Sequence, residues 1–562
     1  MTEITAPIAE SPPLSTAARI GWAILTAATL YVCYFSHLGA IGFVGPDEPR
    51  YAWIARDMAE TGDWVTPRLY GKPWFEKPPL LYWGAAICFK LFGVSEAAAR
   101  LPSAISALLA TLALAWLALR LYGAETARWL LLLLPTTVGM IGFSHAAVTD
   151  MPFSAMLTIA MVCAAVVLGL TRNENTPILP RTPWLAHILF GFFLGLAVLA
   201  KGPAAIILSG GAIFFWALFT KRWRDAFRLL HPAAIASFCL TALPWYILCT
   251  RRNPDFFRIF IIEHNFKRYL TPEFQHVQPF WFYVPVLLVA FLPWTGALLW
   301  TGQAGFVRFV KVHKCSDGMG FLLCWVSFCV VFFSFSQSKL PGYILPAVPA
   351  LALILARACN SLASENAKSC GATLLGFSLL LFYITLAERF RLQRSRGHDS
   401  LEFAIQLILL ALALPGVILS LGFLFSRKGL VRNAAFLLSL LPILLPLSGA
   451  NRLASDLGIV RKSPRESAAE LIAQHIPVDR LTTYNLEPSW RYGLNFYLGR
   501  ELPAWSKDSA TDAYVLTEIH LCINSQTAEF SCFDESSADG LFVSHITPKT
   551  SVSSLHSSRQ PH

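Results

Sequence analysis

Five acids, Asp47, Glu48, Asp57, Glu60 and Asp63, crowd one short stretch, GPDEPRYAWIARDMAETGDWVTP, directly after an apolar run. A little further on, Glu76 and Lys77 stand side by side within the aromatic, Pro-rich GDWVTPRLYGKPWFEKPPLLYW. Ionisable groups then recur at the edges of other apolar runs. His145 and Asp150 lie in SHAAVTDMPFSA, Lys201 in LAKGPAAI, Glu263, His264, Lys267 and Arg268 in FFRIFIIEHNFKRYL, and Lys339 with Tyr343 in FSQSKLPGYILPA. A charge next to hydrocarbon is costly, so an ionisable residue kept there is a functional candidate. Each also has a plain reading, as a lysine whose ammonium reaches back to water or an acid that caps a helix. Gathered in one half-dry hollow, the two signs would suit a ligand bearing a phosphate and a sugar. Cations would neutralise the phosphate, and carboxylates would orient the sugar and steady an oxocarbenium-like centre.

Positioning such groups falls to the apolar runs around them. Of 562 residues, 55% are hydrophobic and only 14% charged, against roughly 25% in a soluble domain. A membrane span takes about 20 mostly apolar residues, with about 17 as the lower bound. Thirteen stretches without Asp, Glu, Lys or Arg meet that bound: 20–46, 101–119, 129–149, 151–171, 182–200, 202–220, 229–250, 274–307, 318–338, 340–356, 369–387, 403–426 and 433–451. The expected class is an α-helical polytopic membrane protein with about thirteen transmembrane helices. PPLLYWGAAICF (residues 78–89) is too short to span and reads as interfacial or re-entrant. Loops after even-numbered spans are short and basic, KRWRDAFR among them, which assigns them to the cytoplasm. Asp47, Asp150, Lys201, Glu263 and Lys339 then border the outer face, although the basic loop ERFRLQRSRGHD runs against this orientation. The net charge of +11 fits cytoplasmic loops and anionic headgroups rather than nucleic acid.

In the first outer loop, Tyr51, Ile54, Ala55, Met58 and Ala59 recur at helical spacing while Arg50, Arg56, Asp57 and Glu60 face elsewhere. That predicts a short helix on the membrane surface, with Asp47 or Glu48 as its N-cap ahead of Pro49. The organisation expected is a cytoplasmic tail over 1–19 and a membrane unit over 20–451, with an outer loop at 46–100. A small α/β domain over 452–545 and an unstructured tail over 546–562 follow. Within the α/β part, SPRESAAELIAQHI reads as a capped helix, RLTTYNL and AYVLTEIHLCI as strands, and SWRYGLNFYLG as a helix between them. Ten of twelve cysteines lie in or beside apolar segments, and no zinc-type spacing is present. Cys522 and Cys532 could pair if their segment faces an oxidising compartment. The N-terminus lacks a basic start and a small-residue cleavage site, so the first apolar run is expected to stay in the membrane.

Taken in order, these motifs resemble a known family. DEPRYAWIARDMAETGDWVTPRLYGKPWFEKPPLLYW is similar to the first periplasmic loop of bacterial membrane glycosyltransferases typified by the lipid A 4-amino-4-deoxy-L-arabinose transferase, relatives of the protein O-mannosyltransferases. TDMPFSA, AKGP, EHNFKRYL with QPFWFY, and KLPGYILPA look like its later motifs, across roughly 45–349. The resemblance implies the GT-C fold in the bacterial inner membrane, a site facing the periplasm, an undecaprenyl-phosphate-linked sugar donor and a lipid A or other envelope acceptor. It implies lipopolysaccharide modification with cationic-peptide resistance; a monomer is expected. It also implies that Asp47 is catalytic, that Asp150 lines the same cavity and that Glu76 and Lys77 match the family's Glu-Lys pair; Asp47, Asp150 and Glu76 are the expected catalytic residues. Substrate would be bound by Glu48, Arg50, Tyr51, Lys77, Tyr82, Lys201, Glu263, Lys267, Arg268, Lys339 and Tyr343. Relatives have been seen with a metal at the positions of Glu76 and His264, so a divalent ion such as zinc is a non-obligatory expectation. The rival readings are a related transferase for mannose or galacturonic acid, or with a protein or glycan acceptor, a lipid or sugar transporter, and a sensor built on the α/β tail. A transporter would favour midplane charges and repeated halves, whereas these charges gather at one membrane face.

Overall fold

The structure, a computed structural model, describes residues 15–171, 183–271, 277–312, 316–360, 364–394, 400–425, 429–448, 463–506, 513–518, 530–538 and 541–548. Cys522, residues 1–14 and residues 549–562, expected as tails, lie outside the described residues.

The first helices are α1 (Thr16–Tyr34), α2 (Asp47–Thr61), α3 (Leu80–Phe92), α4 (Glu96–Tyr122), α5 (Ala124–Leu133), α6 (Val138–Ser144), α7 (Asp150–Val167), α8 (Pro183–Lys201) and α9 (Ala204–Thr220). Further helices include Pro232–Arg252, Tyr283–Ala290, Thr295–Val312, Asp317–Phe335 and Val348–Asn360. By length and composition, seven helices among the described residues could cross a membrane, or eight if α5 and α6, bent by 61°, form one span. Thirteen is therefore not reached on that measure. Several expected spans coincide with shorter apolar helices, α9 and Lys368–Tyr383 among them. The run 274–307 holds two helices rather than one. The α5/α6 break has a local cause: Pro135 follows α5, and the Thr137 hydroxyl accepts the Met140 amide at 3.4 Å to start α6 afresh.

The centre of the bundle is α7, 89% buried along its most apolar stretch, against 17% for α1. Such a helix is apolar all round because helices cover every side of it. Its first residue is Asp150 and that of α2 is Asp47, so both acids stand at helix starts, where the helix dipole favours a negative charge.

On one end of the bundle, α2 buries Tyr51, Ala52, Ile54, Ala55 and Met58 against Leu81, Tyr82, Ala85, Ala86 and Phe89 of α3. The expected amphipathic face is thus turned onto protein. Each large side chain so buried contributes about 1.5–3 kcal/mol. A two-stranded hairpin, β1 (Arg68–Leu69) and β2 (Lys72–Pro73), turns through Tyr70 and Gly71, both at positive φ.

The C-terminal segment forms a four-stranded sheet in the order β3 (Leu481–Thr483), β4 (Ala513–Thr517), β6 (Leu541–Pro548), β5 (Phe530–Ala538). β3 and β4 are parallel and the other pairs antiparallel. The helices Pro464–Ala473 and Pro488–Leu498 close its core around Leu471, Leu481, Leu494, Leu516 and Val543. Two details differ from expectation. β6 runs through Pro548, into the segment expected as tail. Ser463 turns its hydroxyl to Glu466 instead of capping the helix with it.

Candidate active site

The site is built around a carboxylate that faces inward. Glu48 Oε2 accepts the Val44 amide at 2.8 Å, and Oε1 accepts the Ala147 amide at 2.7 Å. Arg100 at the start of α4 grips the same carboxylate twice, through Nε at 3.0 Å and Nη2 at 2.8 Å. The other Arg100 donors go to the carbonyls of Leu38, Ile41 and Gly42 at 2.8, 2.9 and 2.9 Å, so all five N–H groups are used. This corrects the expectation for Glu48. With 4% of its side chain exposed and every oxygen engaged, it is a structural tie and not a substrate contact. It is also no N-cap, since neither acid caps α2 by its side chain. The tie matters because Glu48 follows Asp47 and Ala147 lies three residues before Asp150: one carboxylate fastens together the backbones that carry the two candidate acids. His145, whose ring nitrogens meet the carbonyls of Ser36 and Ile141 at 2.9 and 3.0 Å, pins the same turn.

Asp47 itself turns outward and pairs with Arg50 one helical turn on. The Arg50 guanidinium also meets Glu76 at 3.3 Å, and Lys77 meets the other Glu76 oxygen at 3.4 Å. The result is an alternating chain, Asp47–Arg50–Glu76–Lys77. Arg50 further lies over the rings of Tyr492 at 5.2 Å, Trp74 at 5.6 Å and Tyr51 at 5.8 Å. Its acidic neighbours hold its pKa above the ordinary arginine value despite burial. Tyr51 is buried with its ring 5.6 Å from that of Tyr82. The Tyr82 hydroxyl is buried and finds no hydrogen-bond partner among the described residues.

Lys201, the last residue of α8, donates to Asp150 at 2.5 Å and sits 4.4 Å from the Tyr343 ring centre. Tyr343 belongs to the 3₁₀ segment Pro341–Ala347, and Gly342 explains how that segment comes so close. A Cβ at Gly342 would stand 2.5 Å from Asp150 Oδ1 and 3.0 Å from the Phe143 ring. Lys339 is buried, donating to the carbonyls of Gln278 at 2.9 Å and Ser336 at 2.6 Å. Burial pulls the pKa of its ammonium below the ordinary lysine value.

Glu263, His264 and Lys267 lie on a wide-turned π-helical run, Phe257–Lys267, and Arg268 opens the short helical turn Arg268–Leu270 that follows. Glu263 pairs at 2.6 Å with Arg258, a mostly exposed neighbour on the same run, and Lys267 is exposed. Neither is brought into the acid–cation chain by an ion pair. His264 is half-buried, and the side chain of Arg268 lies outside the described residues. No group of three or more His, Cys, Asp and Glu among the described residues is arranged to hold a metal. Both Glu76 oxygens face cations, which disfavours a third positive charge there. No step below uses a metal. At the loop's far edge, burial opposes ionisation of Asp63. The Thr66 and Val65 amides, with Arg252 and Arg68, nonetheless hold its carboxyl below the usual range.

Arg100, Gly342 and Tyr492 escaped the sequence reading. Arg100 did carry a signal, a charge abutting an apolar span, as did the Pro-Gly pair in KLPGY.

Fold and site together define a polytopic membrane protein of the GT-C class. The fold matches the crystal structure of ArnT from Cupriavidus metallidurans bound to undecaprenyl phosphate, with a TM-score of 0.75 at 23% identity over 93% of this chain and 98% of that one. The sequence model of the dolichyl-phosphate-mannose-protein mannosyltransferase family matches residues 19–260. An undecaprenyl phosphate-alpha-4-amino-4-deoxy-L-arabinose arabinosyl transferase of Pseudomonas fluorescens is 30% identical over 84% of this chain and 87% of its own length. One from Edwardsiella ictaluri is 33% identical over 62% of this chain and 61% of its own length. The chain thus belongs to the family of undecaprenyl phosphate-alpha-4-amino-4-deoxy-L-arabinose arabinosyl transferases. It spans about three-fifths of the length of the first curated relatives it matches.

Proposed function

We propose that the chain transfers 4-amino-4-deoxy-L-arabinose from undecaprenyl phosphate to the phosphate groups of lipid A. It would do so as a monomer of the inner membrane, with its site and the α/β unit facing the periplasm. The observation that carries this reading is the pair of acid–cation clusters, Asp47–Arg50–Glu76–Lys77 and Asp150–Lys201, whose backbones Glu48 ties together. Breaking the sugar–phosphate bond throws negative charge onto the departing undecaprenyl phosphate. Lys77, Lys201 and Lys339 supply fixed positive charge for it in a poorly solvated setting. Asp47 and Asp150 steady the electron-poor anomeric carbon, and Asp47 also suits the ammonium of an amino sugar. Glu76 holds Arg50 and Lys77 in register. The buried Tyr82 hydroxyl has an unused hydrogen bond to give to a substrate oxygen.

The acceptor decides whether a base is needed. A phosphate monoester has its second pKa near 6, arrives ionised and attacks unaided. A sugar or protein hydroxyl would require Asp47 to remove its proton. The match to the mannosyltransferase model over residues 19–260 favours that second reading, a hexose moved to a hydroxyl. Mass spectrometry of lipid A with and without the gene separates the two. A pentosamine increment on the phosphates, present only with the gene, is the expected result. Unchanged lipid A with a hexose or uronic acid change in another envelope molecule would overturn the proposal.

A further inference from the structure

We infer that Tyr492 of the C-terminal α/β unit is a positioning residue of the transfer site, holding through its ring the Arg50 guanidinium that links Asp47 to Glu76. The inference rests on the function proposed above and extends the site to a unit outside the membrane bundle.

The helix Pro488–Leu498 is fastened to the outer loop by one face. Tyr492 meets the Arg50 guanidinium at 5.2 Å and stacks on Tyr70 at 6.5 Å. One turn on, the Asn495 amide donates to the Tyr70 hydroxyl at 2.9 Å, and Phe496 packs edge-on to Phe43 at 4.9 Å. The Tyr497 hydroxyl accepts the Phe43 amide and donates to Glu96, each at 2.9 Å. Below it, Arg465 donates to the carbonyls of Gly39 and Ala40 at 3.1 and 3.2 Å. The helix is thus anchored on both sides of Asp47, at Phe43 and at Tyr70, with Arg465 of the neighbouring helix Pro464–Ala473 adding contacts at 39 and 40, and Tyr492 is the side chain it delivers to the ion chain.

The guanidinium edge is occupied by Asp47, Glu76 and the Pro46 carbonyl, which leaves its faces to aromatic rings. A ring face attracts a cation more strongly when water is excluded and adds no competing hydrogen bond. Without the ring, Arg50 can swing and the Asp47 and Glu76 carboxylates lose their common partner. The π-face is what the site uses, and the Tyr492 hydroxyl is dispensable.

The test is steady-state transfer from undecaprenyl-phosphate-linked aminoarabinose to lipid A by the purified full chain in detergent. The variants are Tyr492→Phe, Tyr492→Leu, Arg50→Lys and the double variant Arg50→Lys/Tyr492→Leu, with a thermal melt of each. Leucine keeps apolar bulk but has no π-face, so Tyr492→Leu should melt near wild type and lose about tenfold in kcat with KM little changed, while Tyr492→Phe stays within about threefold. If the ring acts through Arg50, the double variant should be no slower than Arg50→Lys alone, since coupled residues are not additive. Wild-type rates for Tyr492→Leu, losses that add in the double variant, or a Phe variant as impaired as Leu would each overturn the inference. Absence of transfer by wild type would instead overturn the proposed function.

Discussion

Asp47 and Glu48 are adjacent acids in the first turn of α2, yet the side chain of Asp47 is 44% exposed and that of Glu48 only 4%. A buried carboxylate held by two backbone amides and a bidentate arginine is a fixture, whereas a half-exposed one beside a single guanidinium is open to a substrate. Removing one member of a buried charge pair leaves the other uncompensated and costs about 3–5 kcal/mol. Arg100→Met should therefore lower the melting temperature sharply, whereas Asp47→Asn should melt within a few degrees of wild type and lose transfer. Equal melting losses for both would refute this division of labour. Lys339 offers a second test. Its folded pKa lies below the ordinary 10.5, so the unfolded chain binds the extra proton in the window between the two values. Stability should consequently rise with pH across that window. Transfer should fall across it, because the neutral amine no longer holds a phosphate. Melts and rates that move in the same direction would count against the assigned role.

The elements that carry these groups were partly legible. Tyr51, Ile54, Ala55 and Met58 repeat at helical spacing, and the structure buries that face in α2. What it packs on is α3 and the helix Pro488–Leu498, which no local pattern reveals. Likewise Glu48 looked like a cap because its true partner, Arg100, lies 52 residues away. RLTTYNL and SWRYGLNFYLG form the strand and helix their patterns predict, while the parallel pairing of β3 with β4 depends on the fold as a whole. The 3₁₀ segment at Pro341 supplies an element-level prediction. Gly342→Ala would press a methyl against Asp150, and a contact under 3.0 Å forces one element to move. Transfer should drop by about tenfold or more with a smaller change in stability, the pattern of a site displaced by about 1 Å. An Ala variant with wild-type kinetics would mean that the segment yields without disturbing Asp150.

For the molecule as a whole, apolar composition revealed the class and the run of helices, but not which runs break. The stretch 274–307 is continuous in composition and double in structure, and 129–149 bends at Pro135. Charge position carried more than charge number. Asp47, Asp150 and Lys201 each end or begin a helix, and that places acids and bases at one end of a bundle whose interior is apolar. In the proposed transfer from undecaprenyl phosphate those groups are the machinery, with Asp47 acting on the donor. The most direct measurement is the initial rate at which the purified chain moves aminoarabinose from its undecaprenyl phosphate carrier to lipid A, for wild type and Asp47→Asn. Wild type should form product, and the Asn variant should be slower by about 10²–10³, the loss expected when one charge-stabilising group is removed from a preorganised site. No product from the wild-type chain, or an Asn variant as fast as wild type, would contradict it.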